Sequence, residues 1–423
     1  MPRYESYKQS EVPWLGNVPS HWDVQPLRAV TSLKSDKNRP DLPVLSVYRE
    51  YGVILKDSRD DNHNATSLDT STYKVVKPGD LVVNKMKAWQ GSMGVSSHHG
   101  IVSPAYITCT TKADRVRPAY LHYLLRSSPL IGVYNSLSYG VRVGQWDMHY
   151  EDFKQIQIPL PPNDEQDRIV AFLDQKTAEI DAAIAKKERL IELLDEQKSI
   201  LINSLVTKGA NPQAVTKASG LSWGGDIPAH WKIRYLKHLF RETDSRTSNG
   251  EEPLFSLRMS GHLLRHNDVS DKPITPDQLI GYKIVSPGQL VMNRMRASIG
   301  LFAVAHERGL VSPDYAVFDC IDDISQAYFL ALFRNSAIRG VFLTESKGLG
   351  TGSSGFLRLY SDRFGGIKVP CPPREEQEKI VLAINDHFLK FADVERSAKI
   401  EIEKLTVMRS ILIADAVTGK MRV

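Results

Sequence analysis

The residues that could perform chemistry in this sequence do not form a catalytic motif. The glycine-rich stretch GLGTGSSG from Gly348 has no Lys-Ser/Thr after it, so it is predicted to be a loop and not a phosphate-binding P-loop. The sequences LPPN at Leu160 and CPPR at Cys371 lack the preceding acid or amide and the following aromatic residue of an amino-methyltransferase. His98 and His99 have no ligand partners at metal-binding spacing and are predicted to lie in a loop. These patterns predict neither a catalytic nor a metal site.

Cations and amides recur at positions suited to contact with a nucleic acid. NKMKAWQG from Asn84 returns as NRMRASIG from Asn293. Cations two residues apart would share one face of a strand, where they could bind phosphates or base edges, and a solvated strand face is the alternative. Both asparagines are expected to support a turn. SYGVRVGQWDMHY and ESKGLGTGSSGFLRLY add loop residues able to read bases. The candidate DNA-binding residues are Lys85, Lys87, Arg142, Gln145, Trp146, Arg294, Arg296, Lys347, Ser353 and Arg358.

Composition places the chain among ordinary globular proteins. Its 423 residues, 42% apolar and 24% charged, predict two to four domains, and a net charge of +5 is compatible with a polyanionic partner. The cysteines Cys109, Cys320 and Cys371 have neither metal nor redox spacing, which indicates a reducing compartment. The first residues lack the apolar region of a signal peptide, and no run approaches the ~18 apolar residues of a membrane span. A cytoplasmic protein without membrane contact is expected.

The sequence is written twice. WLGNVPSHWDVQPLR from Trp14 returns as WGGDIPAHWKIRYLK from Trp223, 209 positions later, and the blocks at Tyr73 and Gly100 return at the same shift. IPLPPNDEQDRIVAFLD from Ile158 returns as VPCPPREEQEKIVLAIND from Val369, at a shift of 211. A repeat this long is a duplicated domain and not a solenoid unit. His21 and His230, inside the PSHW and PAHW blocks, are expected to form structural turns with the adjacent tryptophans in the core.

Each copy joins a mixed α and β part to one long helix. Short apolar runs broken by Pro-Gly, such as KVVKPGDLVVNKM, predict strands and tight turns. After each doubled proline, apolar residues recur at heptad spacing, which predicts a coiled-coil helix of about 45 residues. Lys187, Lys198, Glu395 and Arg409 interrupt the seam. The predicted seam residues are Leu173, Ile180, Ile184, Ile191, Leu194, Leu201, Ile384, Phe388, Phe391, Ile402, Leu405 and Leu412.

The doubled prolines are expected to end a strand and direct the chain into each helix. Asn163 or Asp164 is a candidate N-cap with Gln166 near the capping-box position, and Gly209 and Gly419 are expected to end the helices. The predicted divisions are a globular domain at 1–162, a helix at 163–210, a second globular domain at 211–373 and a second helix at 374–423.

The predicted fold class is α+β (mixed α/β). It comprises two similar globular domains separated by two long helices that form an antiparallel coiled coil, with a pseudo-twofold internal duplication. Such pairing would let each helix bury its apolar stripe. The alternative is that each helix packs only on its own domain.

The blocks WLGNVPSHW, PGDLVVNKMKAWQG, GIVSPAY and IPLPPNDEQDRIVAFLD resemble those of specificity subunits of type I restriction–modification systems, over almost the whole chain. The second junction departs from the pattern, with CPPR in place of LPPN. The resemblance implies two target-recognition domains that each read one half of a split, asymmetric site in double-stranded DNA. It implies helices that set the gap and dock two modification (methyltransferase) subunits, and restriction/translocase subunits for cleavage.

The same resemblance implies that this chain binds no cofactor and is a non-catalytic subunit of a DNA adenine methyltransferase and endonuclease complex. S-adenosylmethionine is expected on the methyltransferase subunit, and ATP and Mg on the restriction subunit. Two alternatives remain open at this point. A stand-alone nuclease predicts cleavage by the pure chain with Mg²⁺, and a coiled-coil adaptor predicts no DNA affinity at low salt.

Overall fold

The computed structural model describes residues 3–58, 69–142, 145–270, 272–349 and 356–423, with the backbone alone at 141, 142, 145, 349 and 356. The chain divides into two compact units, which we call unit 1 (Met1–Glu188 and Lys399–Val423) and unit 2 (Arg189–Ala398). Each unit contains one sheet-rich body and a segment of each long helix. The predicted mixture of α and β structure is confirmed.

The body of unit 1 is built from short strands and three short helices. The strands are β1 Tyr7–Gln9, β2 Asn17–Pro19, β3 Asp23–Pro26, β4 Thr31–Lys34, β5 Leu45–Tyr48, β6 Gly52–Leu55, β7 Lys74–Val76, β8 Leu81–Val83, β9 Met93–Val95, β10 Gly100–Val102, β11 Ile107–Thr111, β12 Ser138–Arg142, β13 Gln145–Met148 and β14 Gln157–Leu160. The helices are α1 Pro118–Leu125, α2 Ser128–Leu137 and α3 Tyr150–Phe153, followed by the first long helix, α4 Asn163–Lys208. The largest sheet has the order β4-β11-β8-β9.

The body of unit 2 repeats this plan. Its strands are β15 Thr216–Ala218, β16 Asp226–Pro228, β17 Lys232–Tyr235, β18 Phe240–Thr243, β19 Phe255–Leu257, β20 Leu263–Arg265, β21 Lys283–Val285, β22 Leu290–Asn293, β23 Phe302–Val304, β24 Gly309–Val311, β25 Tyr315–Cys320, β26 Lys347–Leu349, β27 Phe356–Arg358 and β28 Lys368–Cys371. The helices are α5 Gln326–Arg334, α6 Ser336–Glu345, α7 Ser361–Gly366 and the second long helix, α8 Arg374–Val417. The largest sheet, β18-β25-β22-β23, has the strand order of its counterpart. The sequence repeat is therefore a repeat of the fold.

A tryptophan from the repeated histidine block lies in the core of each unit. Trp22 in unit 1 and Trp231 in unit 2 have no exposed surface, as the sequence predicted. Trp22 joins a cluster with Tyr120 of α1, and Trp231 joins one with Tyr328 of α5. Aromatic residues of this size dominate core energetics through the apolar area they remove from water.

In each unit the two long-helix segments share the apolar core of the body. In unit 1, Leu173 of α4 lies in the same cluster as Leu412 of α8. In unit 2, Leu205 of α4 lies in the same cluster as Ile384 of α8. None of the twelve predicted seam residues is exposed. The segments contact each other as well as a body, so the predicted pairing of the helices holds within each unit, and the alternative that each helix packs only on its own domain is wrong.

Charged residues that interrupt the seam of unit 1 are paired between the helices. Lys187 Nζ lies 2.6 Å from Glu401 Oε2, and Arg409 Nε lies 2.9 Å from Asp181 Oδ1. The paired residues of α4 run from 181 up to 187, whereas their partners on α8 run from 409 down to 401. The two helix segments of unit 1 are therefore antiparallel.

The interruptions in unit 2 follow the same rule. Lys198 Nζ lies 2.7 Å from Glu395 Oε2, and both side chains are mostly buried. Each interrupting charge thus has a partner of opposite sign, which offsets its desolvation cost.

Glycine ends each long helix, as predicted. Gly209 follows α4 with φ +75°, and Gly419 lies just beyond α8 with φ +73°, a conformation that L side chains rarely adopt. A Cβ on Gly419 would also lie 2.3 Å from Pro19 Cδ. Among the described residues, the helices include none with the length and hydropathy of a membrane span.

Candidate nucleic-acid interface

The junction with the doubled proline fixes the start of α4 to the body of unit 1. The buried Glu165 carboxylate accepts hydrogen bonds from the Tyr4 hydroxyl (2.6 Å) and His21 Nε2 (2.7 Å). Gln166 Oε1 accepts one from the Arg117 backbone N–H at 2.7 Å. Burial, together with the hydrogen bond to Glu165, raises the pKa of Tyr4. Because its polar groups are satisfied, the junction is a fixed joint. The predicted capping box at Gln166 is wrong, because its amide bonds to the body instead.

Unit 2 repeats this joint, except that a tryptophan takes the place of the tyrosine as a donor to the carboxylate. Glu376 Oε2 lies 2.7 Å from His230 Nε2 and accepts a hydrogen bond from Trp231 Nε1 at 3.0 Å. Gln377 Oε1 accepts from the Ser325 backbone N–H at 2.7 Å. The repeated Glu-Gln pair in the sequence is therefore explained by geometry. In each unit the Glu binds the histidine turn, and the Gln binds the loop that precedes the first short helix of the body, α1 or α5.

The four repeated cations do not lie on strands, so the predicted common strand face is wrong. Strand β8 ends at Val83, and Lys85–Gln90 form a 3-10 helix. Strand β22 ends at Asn293, and the cations of unit 2 lie in the turn that follows it. The asparagine supports this turn, as predicted, since Asn293 Oδ1 accepts from the Met295 N–H at 3.1 Å. The chain leaves the sheet at this turn, so the cations that follow are not strand residues.

The first cation of each pair is held by a carboxylate of its own unit. Lys85 Nζ lies 3.2 Å from Asp147 Oδ2. Arg294 Nη2 lies 2.6 Å from Glu242 Oε1, with most of its side chain buried. These contacts make Lys85 and Arg294 supports of the turn more than open binding groups.

The second cation of unit 1 lines a cleft of about 600 Å³. The walls are the β5 region (44–50), the turn after β8 and the loop at 103–106. Lys87 is exposed, while Tyr48, Asn84 and Gln90 are more enclosed. Burial raises the pKa of Tyr106 at the base of the cleft. An aromatic ring, amides and a cation around one concavity can stack against a base and hydrogen-bond to its edge.

The second cation of unit 2 lies beside another arginine. Arg296 Nη1 lies 3.2 Å from Met259 Sδ, and Arg258 Nη2 donates to the Val269 carbonyl at 3.0 Å. Both guanidinium groups are near enough to Tyr315 to oppose the rise in its pKa that burial causes. The surface of unit 2 that matches the unit 1 cleft in sequence thus carries two positive charges.

The segment with Arg142, Gln145 and Trp146, predicted as a loop, is a β-hairpin. Arg142 ends β12 and Gln145 begins β13, and their backbones are paired. The side chains of these two residues lie outside the described part of the structure. Trp146 meets Trp89 edge-on at 5.2 Å between ring centroids, so its ring packs on the turn after β8. The pairing of the two strands here overrides the preference for a loop that the glycines of the segment indicated.

The corresponding segment of unit 2 is also a hairpin. Lys347 is exposed at the start of β26. Arg358 ends β27, and its Nη1 lies 3.2 Å from Asp314 Oδ1. Ser353 lies outside the described residues. Of these three candidates, Lys347 presents its charge to solvent and Arg358 is neutralised within the unit.

Sequence reasoning missed Tyr48, Gln90 and Arg258. Tyr48 and Arg258 lie outside the motifs considered for DNA contact, and Gln90 lies inside one of them but was given no role. Aligning the two copies would have found them, since these positions change while Asn84 and Tyr106 have identical residues 209 positions later.

The buried cysteine of unit 1 has no nucleophilic character. Burial raises the pKa of Cys109 to about 12, so it remains a thiol packed in the core. Within the ranges that the structure describes, no three His, Cys, Asp or Glu side chains are grouped to hold a metal ion.

Comparison with known proteins places this architecture. The family model described as the type I restriction modification DNA specificity domain matches residues 30–193 and 281–404. The MjaX type I restriction enzyme specificity subunit of Methanocaldococcus jannaschii is 22% identical, over 99% of this chain and 97% of its own length. The EcoKI specificity subunit of Escherichia coli is 20% identical, over 96% and 90%.

Two solved structures share the fold. A chain from a study of complex assembly and conformational transition of the type I R-M system has a TM-score of 0.66 at 17% identity, covering 96% of this chain and 99% of that one. The HsdS subunit from Thermoanaerobacter tengcongensis has a TM-score of 0.53 at 16% identity, covering 96% and 98%. Since the two family matches together span well over half of its residues, this chain belongs to the type I restriction–modification DNA specificity family.

Proposed function

We propose that each unit reads one half of a bipartite, asymmetric site in double-stranded DNA, as the sequence-specificity subunit of a type I restriction–modification complex. The observation that carries the proposal is the duplication of a complete body with the same strand order and the same Glu-Gln joint to a long helix. A duplicated reader fits a split target, and different side chains at matched surface positions of the two units fit an asymmetric one. The chain itself performs no catalytic step.

The long helices set the gap between the half-sites in this proposal. Fixed joints support it, because Gln166 and Gln377 tie each helix start to a body. One heptad corresponds to about 10 Å of helix. Deleting matched heptads from α4 and α8 should therefore change the gap in the methylated motif and leave both half-sites unaltered, while an unchanged gap would reject the role of the helices.

The exposed face of α8 supports docking of the modification (methyltransferase) subunits. In unit 1, Ile400, Val407 and Ile411 of α8 are all exposed, and we call this set the α8 stripe. Around Val407 and Ile411 the surface forms a concavity of about 440 Å³. Apolar side chains aligned along a charged helix are typical of a protein interface.

The chemistry of the complex is assigned to its other subunits. S-adenosylmethionine would bind the methyltransferase subunit, with adenine as the methylated base, and ATP and Mg would bind the restriction/translocase subunit. The present chain would contribute the choice of DNA sequence.

The first test is sequencing of modified bases in genomic DNA with and without this gene, in cells that make the partner subunits. Loss of a split, asymmetric methylated motif on deletion supports the proposal, and the motif itself gives both half-sites and their gap. An unchanged methylome, together with no salt-dependent DNA affinity of the assembled complex, would leave the adaptor alternative. Cleavage by the pure chain with Mg²⁺ would instead support the nuclease alternative.

A further inference from the structure

The cleft of unit 1 and the matching surface of unit 2 share a frame. Asn84 and Asn293, and Tyr106 and Tyr315, occupy matched positions 209 residues apart. The asparagines are buried at the ends of β8 and β22, and the tyrosines precede or begin the adjacent strands β11 and β25. The backbone of the unit 1 cleft and that of the matching surface of unit 2 are therefore set by the same residue types.

The rim of the unit 1 cleft differs from the matching surface of unit 2 at three positions. Bridges from Val44 to Ile101 and from Leu254 to Leu310 fix the register of the two β5-like strands. Four residues beyond the first partner of each bridge, unit 1 has Tyr48 and unit 2 has Arg258. The other two pairs, at a shift of 209, are Lys87 with Arg296 and Gln90 with Ile299.

The charged and amide side chains of the rim, a set that leaves out Tyr48, have no carboxylate partner in the described part of the chain. Among the described residues, none bonds to the Lys87 ammonium or the Gln90 amide. No described carboxylate forms an ion pair with Arg258 or Arg296, whereas Arg294 in the same turn is neutralised by Glu242. Two uncompensated guanidinium groups in one place attract an acceptor-rich ligand.

We propose that these three matched pairs select the bases of the two half-sites, an inference that rests on the proposed function. In unit 2, Arg258 and Arg296 read guanine, since a guanidinium can donate to both O6 and N7 of that base. In unit 1, the Gln90 amide reads adenine through N6 and N7, with Lys87 beside it as a donor to guanine. Tyr48 lines the same cleft, where its ring can pack on the bases. The residues that the two units share do not determine which bases are read, whereas the three pairs that differ do.

Placing the unit 2 residues at the matched positions of the unit 1 cleft tests this assignment in the assembled methyltransferase. The unit 1 variant combines Tyr48→Arg, Lys87→Arg and Gln90→Ile, and modified bases are sequenced in cells that produce the whole complex. We expect one half of the methylated motif to change toward the guanine-rich preference of unit 2, with the other half and the gap unaltered. Lys8→Ala, at an exposed position on β1 that does not line the cleft, is the control and should leave the motif unaltered.

Single substitutions separate base reading from phosphate attraction. Arg258→Lys keeps the charge but loses the two-pronged donor, so we expect roughly a 5- to 100-fold loss of preference for guanine at one position. Gln90→Ala, on the partly exposed rim, should relax one adenine position in the other half-site and covers the case in which the triple variant does not fold.

The outcomes distinguish this inference from the function on which it rests. If deletion of the gene removes the motif but the exchange and the single variants leave it intact, the cleft assignment is overturned and the specificity function stands. A uniform loss of affinity for all sequences would also overturn it, because that result identifies phosphate contacts. If deletion itself leaves the methylome unchanged, the proposed function fails first.

Discussion

Unit 1 and unit 2 differ most clearly beside the first helix that packs on the sheet. In unit 1, Tyr123 of α1 donates a hydrogen bond from its hydroxyl to Asp174 of α4 at 2.6 Å. Unit 2 has Ala331 at the matched position, and a cavity of about 510 Å³ lies there, lined in part by Ile384 and Phe388. The same fold thus accommodates a hydrogen-bonded contact between body and helix in unit 1 and a cavity at the matched position in unit 2.

What does not vary is the set of polar side chains that bond to backbone at the joints. Gln166 and Gln377 keep both their identity and their contacts, while the space between body and helix is filled differently. A buried polar group that loses its partner incurs a full desolvation cost, whereas apolar filling can change at a smaller cost. The joints therefore define the fold, and surfaces next to them are free to diverge.

Removing the core tryptophan of either unit gives the largest expected loss. Trp22→Ala and Trp231→Ala should each lower the free energy of unfolding by about 3–5 kcal/mol, because both side chains are fully buried. Hydrogen exchange resolved by segment measures the loss in each unit. Equal exchange in the wild type and a variant would contradict the placement of that tryptophan in the core.

A milder substitution sharpens the same comparison. Trp231 Nε1 donates to Glu376 at 3.0 Å, whereas Trp22 Nε1 has no partner among the described residues. Trp231→Phe should therefore cost more than Trp22→Phe, by roughly the 1.5–3 kcal/mol of a hydrogen bond to a charged group. Equal costs for the two phenylalanine variants would mean that the bond to Glu376 adds nothing.

The α8 stripe is only partly matched on α4, where Ile200 corresponds to Ile411 but an arginine takes the place of Ile400. Position 407 is valine with 58% of its surface exposed, and its match at a shift of 211 is Glu196. Val407→Lys should weaken binding of the methyltransferase subunit by about 2 kcal/mol, the scale of an interface hot spot. Calorimetry or size-exclusion binding with the purified partner measures this change. Glu196→Lys is the matched control, and an equal loss from both variants would reject the stripe as the docking face.

Acid should weaken unit 1 through a group that unit 2 lacks. Burial lowers the pKa of His122 from 6.5 to about 4, and the matched residue in unit 2 is Leu330. The unfolded chain therefore binds more protons than the folded one below pH 6.5, so stability present above that pH is lost as the pH falls toward 4. The loss from this group is about 2 kcal/mol at pH 5.

The His122→Leu variant isolates that contribution. It should remove this part of the pH dependence of unit 1, measured by denaturant titration at pH 7.5 and pH 5, while every carboxylate contributes as before. An identical pH slope in the wild type and the variant would show that His122 is solvated in the folded protein.

Sequence patterns predicted the repeat, the helix limits and the buried tryptophans, because each follows from local spacing or a glycine conformation. They failed at Lys85 and Arg294, where an apolar run and a two-residue spacing favoured a strand. The turn there depends on contacts distant in sequence, such as that of Arg294 with Glu242. The cleft residue Arg258 was missed because its significance lies in the difference between two copies, which no single motif contains.

The smallest effects come from the ion pairs in the helix seam. Lys198 and Glu395 in unit 2 are 22% and 23% exposed, and Lys187 and Glu401 in unit 1 are 36% and 51% exposed. The hydrogen bond that the Lys198 ammonium donates to Glu395 raises the pKa of Lys198. Because water screens the more exposed pair more strongly, we expect coupling energies of about 1 kcal/mol in unit 2 and about 0.3 kcal/mol in unit 1.

Double-mutant cycles with Lys→Met and Glu→Gln measure both couplings. The cycle removes the separate contact of Lys198 with Asp195, since that contact is lost in both variants that lack the lysine. Raising the salt concentration should reduce the unit 1 coupling by a larger fraction than the unit 2 coupling. A larger coupling in unit 1 would mean that the charges of the seam are retained for the register of the helices and not for the strength of their attraction.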